Sequence, residues 1–262
     1  MEPRPRFFPA AVYTPKAEAF HIVAELNNVP GAFADVLAGV RSQLNVITSL
    51  TYSISEQKAI ASLFGHSTSP QVTAESLRKA ISKSPHVYEV RVVGSKDGFV
   101  IDTFHRGTNL APGQPVVLLS MEGMADMFRS MAVTFGSGAS VLMFEQGRAL
   151  GRQSGGYWMK LLGEKYVREN VLKLLALYAV LGWGEVKGRI IEEGKTFEAE
   201  IVNCFECAKG EGPGCFFYKG HMIGTMSAFY GGMFKATETK CRFKGDSTCT
   251  FIIEAEPKRP RA

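Results

Sequence analysis

Cysteine is scarce in this chain, and the first 203 residues contain none. All five cysteines of the 262 residues follow that position. A disulfide framework in a secreted protein needs cysteines spread through the fold, so this crowding favours metal or thiol chemistry at one place. The N-terminal sequence MEPRPRFFPA also lacks the apolar core of a secretory signal. We therefore expect a cytoplasmic protein whose cysteines serve a single site.

Long apolar runs are missing too. The longest, at 171–184, contains Lys173 and is shorter than the roughly 20 residues that cross a bilayer. The formal net charge is +5, but Lys and Arg are scattered except in the terminal KRPRA. No aromatic-interleaved basic stripe and no helix-turn-helix with a basic recognition helix is present. The sequence thus predicts no membrane partner and disfavours nucleic acid.

A nucleotide-binding glycine fingerprint is absent as well, because GRQSGG at 151–156 lacks the required spacing and βαβ setting. What remains is typical of a globular protein, with 45% hydrophobic and 21% charged residues, and the length allows two domains. Pro and Gly accumulate after residue 107, where apolar periodicity lapses. We predict a first domain at 1–107, a linker at 108–116, a second domain at 117–256 and a basic tail at 257–262.

The first domain shows strand and helix patterns in the order βαββαβ. Strands are predicted at 19–26, 46–55, 59–65 and 87–93, and helices at 32–44 and 72–82. This order is typical of a ferredoxin-like split βαβ fold. The segment contains no nucleophile and base at a catalytic spacing.

Residues 27–52, NNVPGAFADVLAGVRSQLNVITSLTY, resemble the signature of ACT domains. The resemblance covers about residues 17–96 and implies a regulatory module that pairs subunits, here as a homodimer. It also implies a small effector such as an amino acid at the loop and first helical turn. The positions carried over are Asn27, Asn28, Pro30, Gly31 and Ala32. Backbone N–H groups at a helix start suit a carboxylate ligand, while subunit pairing without any effector remains the alternative.

The second domain mixes helices with a small antiparallel sheet, so the overall class is α+β. Helices are predicted at 121–135, 139–150, 161–181 and 215–233. Strands are predicted at 183–191, 196–205, 236–243 and 249–254, the last two forming a hairpin. Gly220 and Gly224 lie four apart on one helical face. They permit close backbone approach, which would allow either tight subunit packing or room for a ligand.

Cys215, Glu238, Cys241 and Cys249 together can supply three thiolates and a carboxylate to one tetrahedral Zn²⁺. The turn after Cys241 returns the chain toward its partners, and Cys215 arrives at the start of a helix. Four ligands fill a tetrahedron, so we predict a closed structural site and no catalytic residue. Buried free cysteines beside a solvated Glu238 are one alternative.

A second alternative uses the C-x-x-C pair Cys204 and Cys207. Residues i and i+3 of an extended strand point to opposite faces. We therefore expect only one of these two cysteines to face the core.

The same cysteine pattern carries a second resemblance, over about residues 117–255. The segment looks like a 4-vinyl-reductase domain, found in a bacteriochlorophyll-synthesis protein, in archaeal hydrocarbon-binding proteins and in phenol-sensing input domains of transcription activators. The phenol sensors bind zinc through a Cys, a Glu-x-x-Cys and a Cys eight positions on. The four predicted ligands match that order, and Gly220, Gly224 and Gly245-Asp246 fit the accompanying glycines.

These patterns favour a cytoplasmic regulatory protein that binds a hydrophobic or aromatic small molecule in its zinc-stabilised second domain. The predicted lining is Tyr166, Trp183, Phe205, His221, Met226, Phe229 and Tyr230, most of which serve equally well as core. One alternative is a reductase, or its accessory subunit, acting on a vinyl-bearing tetrapyrrole. A scaffold that binds no ligand is the other.

Overall fold

The computed structural model describes residues 10–208 and 214–257. The chain forms two compact units, residues 1–107 and 108–262. The basic tail predicted at 257–262 lies outside the described residues apart from Pro257. Within the described residues, no helix combines the length and the hydrophobicity that crossing a bilayer requires.

The first unit is a four-stranded antiparallel sheet with two helices and a short ribbon. Its elements are β1 (Ala11–Tyr13), β2 (Glu18–Asn27), α1 (Ala32–Val40), β3 (Asn45–Ser53), β4 (Lys58–Ser67), α2 (Ala74–Ile81), β5 (Val87–Ser95) and β6 (Phe99–Ile101). The sheet order is β3-β4-β2-β5, and β1 pairs with β6. From β2 to β5 the element order is the predicted βαββαβ. The first helix ends at Val40, four residues earlier than predicted.

Strand β2 lies at the centre of this sheet and is buried on both faces. Phe20 and Ile22 pack against Val36 of α1 and Leu77 of α2 in the main core. Alternate residues of β2 point to the other face, where Ala19 joins a small apolar cluster with residues of the β1–β6 ribbon. Covering the sheet on its second face therefore buries residues that an isolated split βαβ sheet would expose.

The second unit is built from five helices followed by a sheet into which a sixth helix is inserted. Its elements are β7 (Thr108–Ala111), β8 (Gln114–Val116), α3 (Met121–Phe135), α4 (Gly138–Leu162), α5 (Glu164–Glu169), α6 (Val171–Leu175), α7 (Leu177–Val180), β9 (Glu185–Glu192), β10 (Thr196–Val202), α8 (Phe216–Tyr230), β11 (Phe234–Lys240) and β12 (Cys249–Ala255). The sheet order is β11-β12-β10-β9, with antiparallel pairs throughout.

Residues 108–116, predicted as a linker, form the two-stranded hairpin β7–β8. Two predictions for this unit need correction. Helix α4 continues to Leu162, twelve residues beyond the predicted end, because Gly151 and Gly155 stay helical where they pack against α8. The helix predicted at 161–181 is instead three short helices, α5 to α7. It is interrupted at Gly163, which has φ 83°, and at Asn170, which has φ −121° and ψ 22°.

Helices α4 and α8 pack backbone to backbone through glycines. A Cβ added at Gly147 would lie 2.0 Å from the carbonyl oxygen of Phe217, and one at Gly220 would lie 2.1 Å from that of Phe144. The approach is thus reciprocal, and it explains the glycine spacing seen in the sequence. It also fixes the start of α8, where Cys215 lies.

Candidate metal centre

All five cysteines are buried and free of disulfides. Cys215 is the residue before α8, Cys249 is the first residue of β12 and Cys241 directly follows β11. Cys204 and Cys207 lie at either end of a short segment after β10. Elements that are distant in the sequence therefore bring their sulfur atoms to one place.

The β11–β12 hairpin positions two of these cysteines. Residues Arg242–Lys244 form a 3₁₀ turn, and Gly245 has φ 94°, a conformation that glycine adopts without strain. The Asp246 carboxylate accepts the backbone N–H of Cys241 at 2.8 Å. The turn thus returns the chain so that Cys249 enters β12 beside Cys241, as the spacing predicts.

The first group of ligand atoms is the predicted one, formed by Cys215, Glu238, Cys241 and Cys249. The Cys215 sulfur lies 3.9 Å from that of Cys241 and 3.4 Å from that of Cys249. Tetrahedral Zn–S bonds of about 2.3 Å place two sulfurs about 3.8 Å apart. The spacing of these thiols fits one tetrahedral ion.

The second group consists of Cys204, Cys207, Cys215 and Cys249, so it shares two cysteines with the first. The Cys215 sulfur lies 3.8 Å from that of Cys204 and 3.0 Å from that of Cys207. The separation from Cys207 is shorter than two ligands of one tetrahedral ion adopt. The group with Glu238 is therefore the better fit to one ion.

The expectation that only Cys204 or Cys207 faces the core is wrong. Their exposed fractions are 0% and 1%, and both contact Cys215. Strand β10 ends at Val202, Asn203 has φ 56°, and Phe205–Cys207 form a 3₁₀ turn. Side chains at i and i+3 lie on the same side of a 3₁₀ turn, whereas an extended strand would separate them.

The surroundings of Glu238 indicate that a cation fits among these thiols. Its side chain is 14% exposed, and its Oε1 is buried without a hydrogen-bond partner among the residues described. Burial, with Glu238 alongside, raises the pKa of Cys241 to about 11. Thiols held so close together cannot all ionise without a compensating positive charge. Three sulfurs and an unpartnered carboxylate oxygen are a donor set that Zn²⁺ accepts.

Glu206 is a buried acid that the sequence reading did not single out. Its carboxylate accepts the backbone N–H groups of Phe217 at 3.0 Å and Tyr218 at 2.9 Å, at the start of α8. Burial raises its pKa to about 8, and the two N–H bonds oppose that rise. Glu206 caps α8 from the segment that carries Cys204 and Cys207. The sequence signal that could have pointed to Glu206 is its position between Cys204 and Cys207.

Comparison with known proteins identifies a match to a known domain in the part of the chain that contains this site. Residues 197–255 match the V4R domain. This V4R segment contains β10, α8, β11 and β12, and therefore every cysteine of the chain. The uncharacterized protein MJ0150 of Methanocaldococcus jannaschii is 29% identical over 134 residues, which cover 48% of this chain and 70% of that protein.

Two solved structures are also similar to the chain. The phenol-responsive sensory domain of the transcription activator PoxR with phenol is 20% identical, covering 54% of this chain and 77% of that one, with a TM-score of 0.44. A vinyl-4-reductase family protein from Methanocaldococcus jannaschii is 13% identical, covering 54% and 99%, with a TM-score of 0.34.

Three of the predicted ligand-lining residues meet in an aromatic cluster next to the sulfurs. The ring centroid of Trp183 lies 4.8 Å from that of His221 and 5.4 Å from that of Phe205. Tyr178 and Tyr218 join them, with their rings stacked at 5.4 Å. We call these five residues the aromatic cluster. Their rings are in direct contact, so a ligand can bind among them only if one of the rings moves.

The other predicted lining residues lie elsewhere in the unit. Met226 and Phe229 are buried in its core. Tyr230 packs against Phe197, with ring centroids 5.1 Å apart, and Tyr166 is 42% exposed. A separate groove of about 540 Å³ between α4, α8 and β11 includes none of the predicted residues.

The predicted effector residues share one loop of the first unit. The Asn28 amide donates to the carbonyl oxygens of Ser55 and Glu56 at 3.2 and 3.3 Å, so it fastens the β3–β4 turn. Gly31 has φ 90°, and helix α1 starts after it without a side-chain cap. Asn27 accepts the Tyr88 hydroxyl. Both asparagine side chains are thus engaged within the unit.

His221 makes the second unit sensitive to acid. Burial lowers its pKa from 6.5 to about 3, and its Nδ1 lies 2.7 Å from the Tyr178 hydroxyl. Between pH 6.5 and about pH 3, His221 therefore binds a proton in the unfolded chain but not in the folded chain. The contribution of His221 to stability is therefore fully present above pH 6.5 and falls by about 1.4 kcal/mol for each unit of pH between 6.5 and about 3. Thermal unfolding at pH 7 and pH 5 should show a loss of about 2 kcal/mol from this group.

The variant His221→Gln should lose that part of the pH dependence, whatever its stability at pH 7. Gln153→Ala, at an exposed position of α4 that does not titrate, serves as the control and should unfold with the pH dependence of the unmodified protein. Equal pH dependence in His221→Gln and the unmodified protein would show that the ring is not held neutral.

Proposed function

We propose that this protein is a cytoplasmic small-molecule sensor whose second unit binds an aromatic ligand next to a structural zinc site. The V4R segment supports the assignment of the sensing part to residues 197–255. The proposed zinc ligands are Cys215, Glu238, Cys241 and Cys249. Bound Zn²⁺ would supply positive charge to the thiolates and join α8 to the β11–β12 hairpin.

The observation that carries the ligand proposal is the hydroxyl of Tyr218. This side chain is fully buried, and its oxygen has no hydrogen-bond partner within the described part of the chain. Burial raises its pKa well above 10, so the hydroxyl keeps its proton and remains a donor. An unsatisfied buried hydroxyl costs about 1–3 kcal/mol. A ligand with an aromatic face and one acceptor oxygen would repay that cost.

We propose that Tyr178 is the residue that moves when the ligand binds. It lies on α7, a helix of four residues that adjoins a Gly at 182 and a broken connection to α6. So short a helix makes few internal hydrogen bonds, and its local opening has to break mainly the hydrogen bond of Tyr178 to His221 and its stacking on Tyr218. Its displacement would leave Trp183, Phe205 and His221 to surround a small aromatic molecule.

Tyr218 also connects ligand binding to the metal ligands. It lies three residues after Cys215 on α8, and its ring stacks on Phe251 of β12 at 6.4 Å. Cys249 is two residues before Phe251 on the same strand. A ligand at Tyr218 would therefore favour one packing of α8 against β12, by as much as its affinities for the alternative packings differ.

Calorimetric titration of the metal-loaded protein with phenol tests this proposal. We expect saturable binding that Tyr218→Phe weakens about threefold to tenfold, the effect of one neutral hydrogen bond. Without phenol, Tyr218→Phe should be at least as stable as the unmodified protein, since an unsatisfied hydroxyl has been removed. Tyr166→Phe is the control and should bind phenol unchanged, because Tyr166 is 42% exposed and does not belong to the aromatic cluster.

Absence of saturable phenol binding, or equal affinity in Tyr218→Phe, would remove the ligand proposal and favour a scaffold without ligand. A flavin or tetrapyrrole absorption spectrum in the purified protein would favour the reductase alternative instead.

For the first unit we propose an ACT-like role in pairing two subunits as a homodimer, with an amino acid as effector. The uncapped start of α1 after Gly31 supports the effector, because backbone N–H groups at a helix start attract a carboxylate. The same calorimeter, with amino acids as titrants, tests this part separately from the phenol site.

A further inference from the structure

The first unit contains a second group of metal-ligand side chains, unrelated to the cysteines. It consists of His21 on β2 and of Asp102 and His105, which follow β6. We call these three residues the His21 group. Their potential ligand atoms lie within 4.8 Å of one another. All three belong to residues 1–107.

The chain itself arranges two of the three residues. Asp102 Oδ1 accepts the backbone N–H of Phe104 at 2.9 Å and that of His105 at 3.0 Å. This turn brings the His105 ring back to the carboxylate, with Nδ1 2.6 Å from Oδ2 of Asp102. A carboxylate and an imidazole are thus presented together by the sequence Asp-Thr-Phe-His.

The hydrogen bond between Asp102 and His105 does not account for the surroundings of His21. Its side chain is 0% exposed, and its Nε2 lies 3.0 Å from the Ser62 hydroxyl. Its ring stacks on Phe64 at 4.1 Å. Its Nδ1 is buried without a hydrogen-bond partner among the residues described, 3.8 Å from Asp102 Oδ1. That distance is too long for a hydrogen bond.

This arrangement matches the surroundings of a metal-binding histidine. One ring nitrogen of such a histidine meets an outer partner that fixes the ring, while the other is directed at the ion. Ser62 occupies the first role here, and Nδ1 of His21 is left for the second. Asp102 and His105 have side chains that are 19% and 28% exposed, so an ion can enter from their side.

We propose that the His21 group binds one divalent transition-metal ion, such as Zn²⁺, through His21 Nδ1, an Asp102 oxygen and an imidazole nitrogen of His105. Two imidazoles and one carboxylate leave coordination positions open, unlike the filled set at the cysteines. Water or a small anionic ligand completes the shell. This site is independent of the proposed sensor function, because it shares no residue with the second unit.

Titration of the full-length, untagged protein with Co²⁺ separates the two sites. Co²⁺ bound by thiolates shows intense sulfur-to-metal charge-transfer absorption, whereas Co²⁺ held by imidazole and carboxylate shows only weak visible bands. We expect equilibrium dialysis to measure two bound Co²⁺ ions per chain. Only one of them should produce charge-transfer absorption, and the other is the further ion. Asp102→Asn should weaken only this further ion, by at least about 100-fold, since it removes a direct ligand.

Asp97→Asn is the matched control, an exposed acid in the β5–β6 turn of the same unit, and it should keep the ion. His105→Ala provides a second variant at a partly exposed position, with His86→Ala as its control. Co²⁺ bound only with charge-transfer absorption would overturn the proposal. So would an unweakened further ion in both Asp102→Asn and His105→Ala. Failure of the cysteine site would appear differently, as missing charge-transfer absorption.

Discussion

Replacing Cys215 by Ser is expected to abolish metal binding at the cysteines and to destabilise residues 108–257. Cys215 belongs to both overlapping groups of thiols, so no alternative set of four ligands survives its loss. Breaking a buried charge set by removing one member costs about 3–5 kcal/mol. For a unit of this size the melting temperature should fall by about 6–20 °C. Calorimetric melting and Co²⁺ charge-transfer absorption measure the two effects.

Two further variants decide which group holds the ion. Cys241→Ser should weaken Co²⁺ binding and change the charge-transfer absorption, because Cys241 belongs only to the group with Glu238 and its loss leaves the less suitable four-cysteine group, in which the Cys207 and Cys215 sulfurs lie 3.0 Å apart. Cys204→Ser is the matched control and should leave both unchanged. The opposite pattern would assign the ion to the four-cysteine group, and an unaltered spectrum in Cys215→Ser would contradict a thiolate site altogether.

Gly151→Ala is expected to destabilise the second unit strongly although the residue lies outside the metal centre. The added Cβ would lie 2.0 Å from the carbonyl oxygen of His221, which is backbone and cannot rotate away. Helices α4 and α8 would have to separate, disturbing α8 and the residues that it carries. Overpacking of this kind costs about 3 kcal/mol or somewhat more. Urea unfolding followed by circular dichroism measures the change.

Gly156→Ala is the control for this prediction because it lies five residues further along the same helix. No atom lies within 4 Å of its added Cβ among the described residues, and alanine is the better helix former by about 1 kcal/mol. This variant should be as stable as the unmodified protein or more so. Similar unfolding midpoints for the two variants would disprove the backbone contact between the helices.

The first unit could be predicted well from its sequence. Strand β2 alternates in hydrophobicity, Thr73 begins α2 with a capping box, and turns separate the elements cleanly. Each of these signals acts within about ten residues of the chain. The predicted order βαββαβ therefore agrees with the structure, apart from the ends of elements and the β1–β6 ribbon.

The second unit was predicted less completely. The hairpin that carries Cys241 and Cys249 follows from a local turn and was predicted. The interruptions at Gly163 and Asn170 were not, because the apolar pattern across 161–181 is continuous on one helical face. The break at Gly163, which has φ 83°, carries a local signal that the prediction missed, since glycine commonly ends a helix in this way.

The sequence alone determined the types of ligand available and the local turns that hold them: thiols confined to the last 59 residues, a Glu-x-x-Cys before a glycine turn, and glycines four apart on a helix. Only the tertiary structure decided which of these groups meet. It brought both Cys204 and Cys207 to Cys215, and it placed His21 beside Asp102 although 80 residues separate them in the chain. Residue spacing specifies geometry within one turn or hairpin, whereas distances between distant segments depend on how helices and sheets pack.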